Sequence, residues 1–345
     1  MKKQILSLGF TLLAATSSFG LPSLLDKKEF KADSVSNLDI HLSWENIEIQ
    51  EVPSKNPITV EIYCNKKKFA PTVNFSGSTL TIESIPFNPL FFPMEPKHCT
   101  VMIHIPSEKN FKKAGIRLSS GSLKQLDSIS AEQLTIQASS GSLSASNLKG
   151  SQIEVSASSG RISIERLVAA KATVHTSSGS ISVDSINSQN YVSETSSGSI
   201  KLKDVTAQSI NLSTSSGGIS VDGLLAGRVS ASSTSGTIGL EFNGVPSEKS
   251  HVSTTSGTIF VSLPRKAGVT VSASTTSGSF VNTFTKEKIN SHVEYKKDIN
   301  GGGTSLHLSS TSGRITLDEG DGFSSGGSKS GDNDIPVVNL ERPIF

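Results

Sequence analysis

Ten Ser-Gly pairs recur between residues 120 and 313, and their spacing limits the possible folds more than any other feature of the chain. They are Ser120-Gly121, Ser140-Gly141, Ser159-Gly160, Ser178-Gly179, Ser197-Gly198, Ser216-Gly217, Ser235-Gly236, Ser256-Gly257, Ser277-Gly278 and Ser312-Gly313. Successive glycines lie 20, 19, 19, 19, 19, 19, 21, 21 and 35 residues apart. The residue ahead of each pair is Ser in the first six copies and Thr in the last four. Self-similarity at such a period marks a solenoid, in which each coil buries its apolar side against the next.

Around the pivot the apolar residues alternate. Ile153, Val155 and Ala157 precede Gly160, and Ile162, Ile164 and Leu167 follow it; Ile210, Leu212, Gly217, Ile219, Val221 and Leu224 repeat the pattern. Period two is the strand period, so the pivot separates two strands of one coil. The fold class expected is all-β: a parallel β-solenoid or β-helix with about 19 residues per coil and a Ser-Ser/Thr-Ser-Gly corner, with ten coils at about 4.8 Å each giving a rod on the order of 50 Å. Glycine suits the corner either because the backbone takes φ > 0 there or because a neighbour approaches too closely for a Cβ. The small hydroxyl residues are read as pointing into that corner, stacked as a hydrogen-bonded ladder. No helix-forming window separates the strands, which excludes leucine-rich repeats, and Asp does not recur every nine residues, which excludes the calcium-binding nonapeptide.

Flanking segments lack the pivot. Residues 21–112 alternate like strands ("NLDIHLSW", "ITVEIYC", "TVMIHIP") and form an irregular N-terminal β cap, with Ser76-Gly77 as a degenerate coil. Trp44, Phe87, Leu90, Phe91 and Phe92 are assigned to that cap, with a ligand platform as the alternative. Repeats occupy 113–318, and the stretch 282–303 is an irregular coil or a protruding loop. Residues 319–334 read as a flexible linker and 335–345 as a segment that docks on the rod or on a partner. At the N-terminus, Lys2 and Lys3 precede an apolar run from Ile5 to Leu13 and then small residues, the layout of a signal peptide over 1–20. No later run is long enough for a membrane span, and export makes a disulfide between Cys64 and Cys99 the favoured reading over two buried thiols.

The units "SSGSI", "SSGRI" and "TSGTI", the strand "VMIHIPSE" and the closing "INGGGTSLHLSSTSGRITL" together resemble the bacterial "putative adhesin" family, exported β-strand-repeat proteins of undetermined function. The likeness spans roughly residues 35–318 and implies a β-solenoid, but brings no catalytic residues with it. Members are often lipid-anchored, whereas this chain has no Cys just after its leader to take a lipid.

Ten equivalent serines do not make a nucleophile, which needs one Ser beside a base. His41, His98, His104, His175, His251, His292 and His307 fall at unrelated repeat positions, and no HExxH occurs. Five residues after the glycines stand Glu165, Asp184, Asp222, Glu241 and Asp318, a line that would serve a polysaccharide-acting β-helix with a carboxylate or calcium site, except that Lys203 interrupts it. Ser156, Ser213, Ser232, Ser253, Ser274 and Ser309, four before their glycines, and Ser122, Ser142, Ser180, Ser199, Thr237, Thr258 and Ser279, one after, would form a nearly uncharged hydroxyl face. A net charge of +2 over 345 residues gives no field for nucleic acid. The expectation is therefore an exported, non-enzymatic module of the periplasm, cell surface or exterior, binding a glycan or an envelope or host surface protein. It needs no cofactor and is a monomer rather than a self-assembling scaffold.

Overall fold

The computed structural model describes residues 22–86 and 98–320. The leader, the residues Phe87, Leu90, Phe91 and Phe92, and both C-terminal segments beyond Gly320 lie outside the described residues. Among the described residues all regular structure is strand, apart from two 3-10 turns at Ala32–Ser34 and Lys67–Phe69.

The cap contains β1 (Ser23–Phe30), β2 (Asn37–Leu42), β3 (Asn46–Val52), β4 (Ile58–Cys64), β5 (Thr72–Ser76), β6 (Thr79–Glu83) and β7 (Cys99–Pro106). The coils with glycine pivots start with β8 (Asn110–Leu118), β9 (Leu123–Leu126) and β10 (Ser128–Ala138). Five strands of 15 residues follow: β11 (Leu143–Ala157), β12 (Ile162–Thr176), β13 (Ile181–Thr195), β14 (Ile200–Thr214) and β15 (Ile219–Ser233). These pair in parallel with a constant offset, so Ile162, Ile181, Ile200 and Ile219 stack in one column. Within β12 the alternation breaks at Glu165-Arg166, where two successive residues face water, and again near Ala170-Lys171. Together with the glycine pivot these breaks make each coil three-sided, and Ile162, Ile164, Leu167, Ala169, Ala172 and Val174 fill its inside. Each buried Ile or Leu contributes about 1.5–3 kcal/mol against exposure, and the column repeats that gain on every rung.

The pivot glycines do not need a left-handed backbone: positive-φ glycines among the described residues are Gly77, Gly223, Gly301, Gly302 and Gly303, none of them a pivot. Close approach is the reason. A Cβ on Gly198 would lie 1.6 Å from the carbonyl oxygen of Gly179 one rung below, and one on Gly179 would lie 1.8 Å from that of Gly160. Glycine stacks on glycine because only a hydrogen fits above that carbonyl.

The hydroxyl ladder is present but is built one step earlier than expected. Thr176, Thr195 and Thr214, three before their glycines, are inside; each Oγ1 donates to the Gly carbonyl of the previous rung at 3.2–3.4 Å and accepts the N–H of its own Gly at 3.1 Å. The Ser-Ser and Thr-Ser residues are instead exposed in all ten copies, because two outward side chains in a row carry the chain round the bend. Main-chain bonds such as Ser140 N to Ser119 O hold them to the rung below.

The remaining strands are β16 (Ile238–Phe242), β17 (Ser250–Thr254), β18 (Ile259–Pro264), β19 (Val269–Thr275), β20 (Ser279–Asn282), β21 (Glu287–Asn290), β22 (Val293–Ile299), β23 (Thr304–Ser310) and β24 (Arg314–Gly320). Here axial order departs from chain order. The last coil, β23 and β24, inserts between β17/β18 and β19/β20. A Cβ on Gly313 would accordingly meet the Gly257 carbonyl, and one on Gly278 the Gly313 carbonyl. At the other end β6 and β7 stack outside β2 and β3, which in turn contact β8 and β9. The pivot of that first coil is not a glycine but Glu45, whose carbonyl fills the space beside Gly121.

Antiparallel strands close both ends. β4 pairs with β7 and β1 with β4, while β5 forms a hairpin with β6. Ser76-Gly77 is therefore not a degenerate coil: Gly77, with φ +61° and open space around it, makes the hairpin turn. Cys64 and Cys99 face each other across β4 and β7 and are joined by a disulfide. The stretch 282–303 is the C-terminal cap, with β21 antiparallel to β20 and β22 antiparallel to β19.

Glu287 ties that cap together. Its carboxylate accepts from Thr285 Oγ1 at 2.5 Å and Tyr295 OH at 2.8 Å and pairs with Lys297 Nζ at 2.9 Å. The Thr285 hydroxyl, then Lys297 and Tyr295, hold the carboxyl down to about 2. A carboxyl depressed on folding stabilises fully above its ordinary range near 4.5 and loses that contribution as pH falls towards about 2. The Tm deficit of Glu287→Gln should therefore be present at pH 6 and shrink steadily below pH ~4.5; a deficit independent of pH over that range would contradict the assignment.

Candidate binding face

The outward side chains stack into columns along the rod. Four residues before each pivot, the axial order is Glu83, His41, Arg117, Gln137, Ser156, His175, Glu194, Ser213, Ser232, Ser253, Ser309 and Ser274. The hydroxyl face is thus continuous from Ser213 to Ser274, whereas Ser156 stands apart between Gln137 and His175. Beside it run the exposed Ser-Ser and Thr-Ser pairs and, past the pivot, the half-exposed Ser180, Ser199 and Thr258. Identical side chains meet at rung spacing because the offset between parallel strands equals the sequence period.

Four of the seven His residues fall into columns, unlike His98, His104 and His292. His41 and His175 share the column above, which sequence spacing shows for His175 but hides for His41, since its pivot is Glu45. His251 and His307, each six before its glycine, lie on paired β17 and β23 with rings stacked 4.9 Å apart and 11° from parallel. Burial, then the neighbouring His307 and Lys249, pushes the His251 imidazole below its usual value. At the first coils Asp39 Oδ1 lies 2.9 Å from His41 Nε2 and 3.2 Å from Arg117 Nη1.

The acidic line does not assemble a site. Lys203 Nζ donates to Asp184 Oδ1 at 2.9 Å and faces Asp222 on the next rung, and Asp184 holds the ammonium above its usual range. Ser262 separates Glu241 from Asp318, which accepts from Thr283 at 3.2 Å. Among the described residues no group of three His, Cys, Asp or Glu is arranged to hold a metal ion. Tyr191 is inside the coil and Phe260 is exposed. Trp44 packs edge-on to Phe69 at 5.9 Å and against the core of the cap.

A three-sided parallel solenoid with stacked Ser-Gly corners and a polar outer face defines a β-repeat protein whose surface is an array of recurring side chains. The chain belongs to the Toastrack DUF4097 family, whose model matches residues 35–196 and 151–318. Among solved structures, the chain is similar to a "putative lipid binding protein" (13% identity, TM-score 0.43, 86% of this chain and 97% of that one) and a "putative adhesin" (14%, 0.40, 86% and 98%), both from Parabacteroides distasonis. Another is a "putative adhesin" from Bacteroides fragilis (11%, 0.39, 86% and 97%). No curated protein matches the chain. No helix among the described residues is long and apolar enough to cross a membrane.

Proposed function

We propose that the chain is an exported, non-enzymatic β-solenoid serving as an adhesin-like binding or structural module of the cell envelope or surface. The observation that carries this reading is the hydroxyl face from Ser213 to Ser274, flanked by exposed Ser and Thr pairs whose hydroxyls are not the ones that hold the corner. A flat array with little charge and little side-chain entropy to lose suits contact with a glycan or with an envelope or host surface protein. The ends favour a monomer: the rod's outer strand β22 carries Lys296 and Lys297, and lysines on an edge strand oppose addition of another chain.

The test is an array of glycans and matrix proteins probed with the wild type and with Ser232→Lys, combined with protease treatment of intact cells. Selective binding that Ser232→Lys weakens, and cleavage on intact cells, are the expected results. Absence of any binding together with complete protection in intact cells would remove the surface-binding role.

A further inference from the structure

A groove of about 1100 Å³ runs along the first coils, beneath the segment Ser84, Ile85 and Pro86 that leaves β6. One wall is the column Glu83, His41, Arg117, Gln137, Ser156 and His175; the other is the exposed bend, with Ser119, Ser139, Ser158 and Ser177. Ile85, 41% exposed, and Pro86 give it an apolar lip. Five rung steps make the column about 24 Å long. This is a different stretch of the rod from the Ser213–Ser274 face, and it differs in chemistry: every rung except that of Ser156 carries a planar or charged polar group in place of serine.

The chemistry narrows the occupant. Asp39 balances the charge of Arg117 and also holds His41, and Glu83 adds a further carboxylate, so the groove has no positive field to hold a polyanion. A peptide adding as a strand needs a free sheet edge, whereas the rungs here are already paired on both sides, with β2, β8, β10, β11 and β12 in unbroken register. What remains is a ligand that uses side-chain donors and acceptors at every rung and offers a weakly apolar face to Ile85 and Pro86. We infer that the groove binds a linear, uncharged oligosaccharide lying along the rod axis, with Gln137, Ser156 and His175 hydrogen-bonding its hydroxyls. The inference rests on the binding-module reading and names its ligand class and a second location.

Isothermal titration with neutral tetra- to hexasaccharides of glucose or N-acetylglucosamine, and with oligouronates of equal length, tests this on the full chain. The variants are Gln137→Ala and His175→Ala in the groove, Ser232→Lys on the other face, and Lys171→Ala as a control exposed on β12 outside the groove; all four positions face outward, and unchanged thermal unfolding verifies the fold. Neutral oligosaccharide binding weakened about tenfold by Gln137→Ala or His175→Ala, and untouched by Lys171→Ala, is the expected result. Binding lost in Ser232→Lys but not in the groove variants would overturn the groove assignment while leaving the binding module intact. Binding of the oligouronates alone, weakening with salt, or of neither class, would overturn the assignment as well.

Discussion

Alanine at Gly198 is expected to destabilise the protein by roughly 3 kcal/mol or more, because the added methyl must occupy a point 1.6 Å from a backbone oxygen. That oxygen cannot retreat: the Gly179 carbonyl also accepts from Thr195 Oγ1, and the next glycine repeats the constraint. For a domain of this size the loss corresponds to a fall in Tm of about 6–12 °C. Gly239→Ala is the matched control. Its nearest neighbour would be 4.0 Å away and its φ is ordinary, so the change should be neutral or slightly stabilising. Thermal unfolding of the two variants side by side decides the matter. A Gly198→Ala protein within about 0.5 kcal/mol of wild type would mean that the rungs are not stacked corner on corner.

Ending the chain at Gly303 is expected to do much more than remove one terminal rung. The deleted β23 and β24 sit between β17/β18 and β19/β20, so both neighbours lose a parallel partner and the buried side chains Val252, Val261, Val271 and Phe280 lose their stacking. Stability in a solenoid is a sum over adjacent rungs, so the damage should stay local. Hydrogen exchange should show residues 250–299 stripped of protection while the five long strands from Leu143 to Ser233 keep theirs. If 250–299 stayed protected after the deletion, the inserted order would be wrong, since only a sequentially stacked chain could lose its last coil so cheaply.

The contrast between these two experiments follows the line between local and long-range information. Residues 143–233 could be placed from the chain because each coil's neighbour is the next 19 residues, and the same residue types recur at each point: the Ile column, the glycine stack and the outward Ser pairs are all periodic. Lys203 breaking the acidic line was legible for the same reason. The direction of the corner hydroxyls was not. Thr at three before the glycine and Ser at one before it are both small and polar, and only the three-dimensional bend shows that the first turns in while the second turns out.

Periodicity, then, was enough to determine coil length, strand faces, register and the need for glycine at the corner, since a parallel ladder converts a constant sequence offset into direct contact. It is silent once the chain leaves sequential order. The insertion of residues 304–320 two rungs early, the placement of β6 and β7 outside β2 and β3, Glu45 acting as a pivot, and the gathering of His41, Arg117, Gln137 and His175 along one groove depend on contacts between segments far apart in the chain, such as that of His41 with Arg117, 76 residues on. Such pairings are chosen by burial of whole faces and by the closing of exposed strand edges, energies that belong to the assembled rod and to no single stretch of the chain.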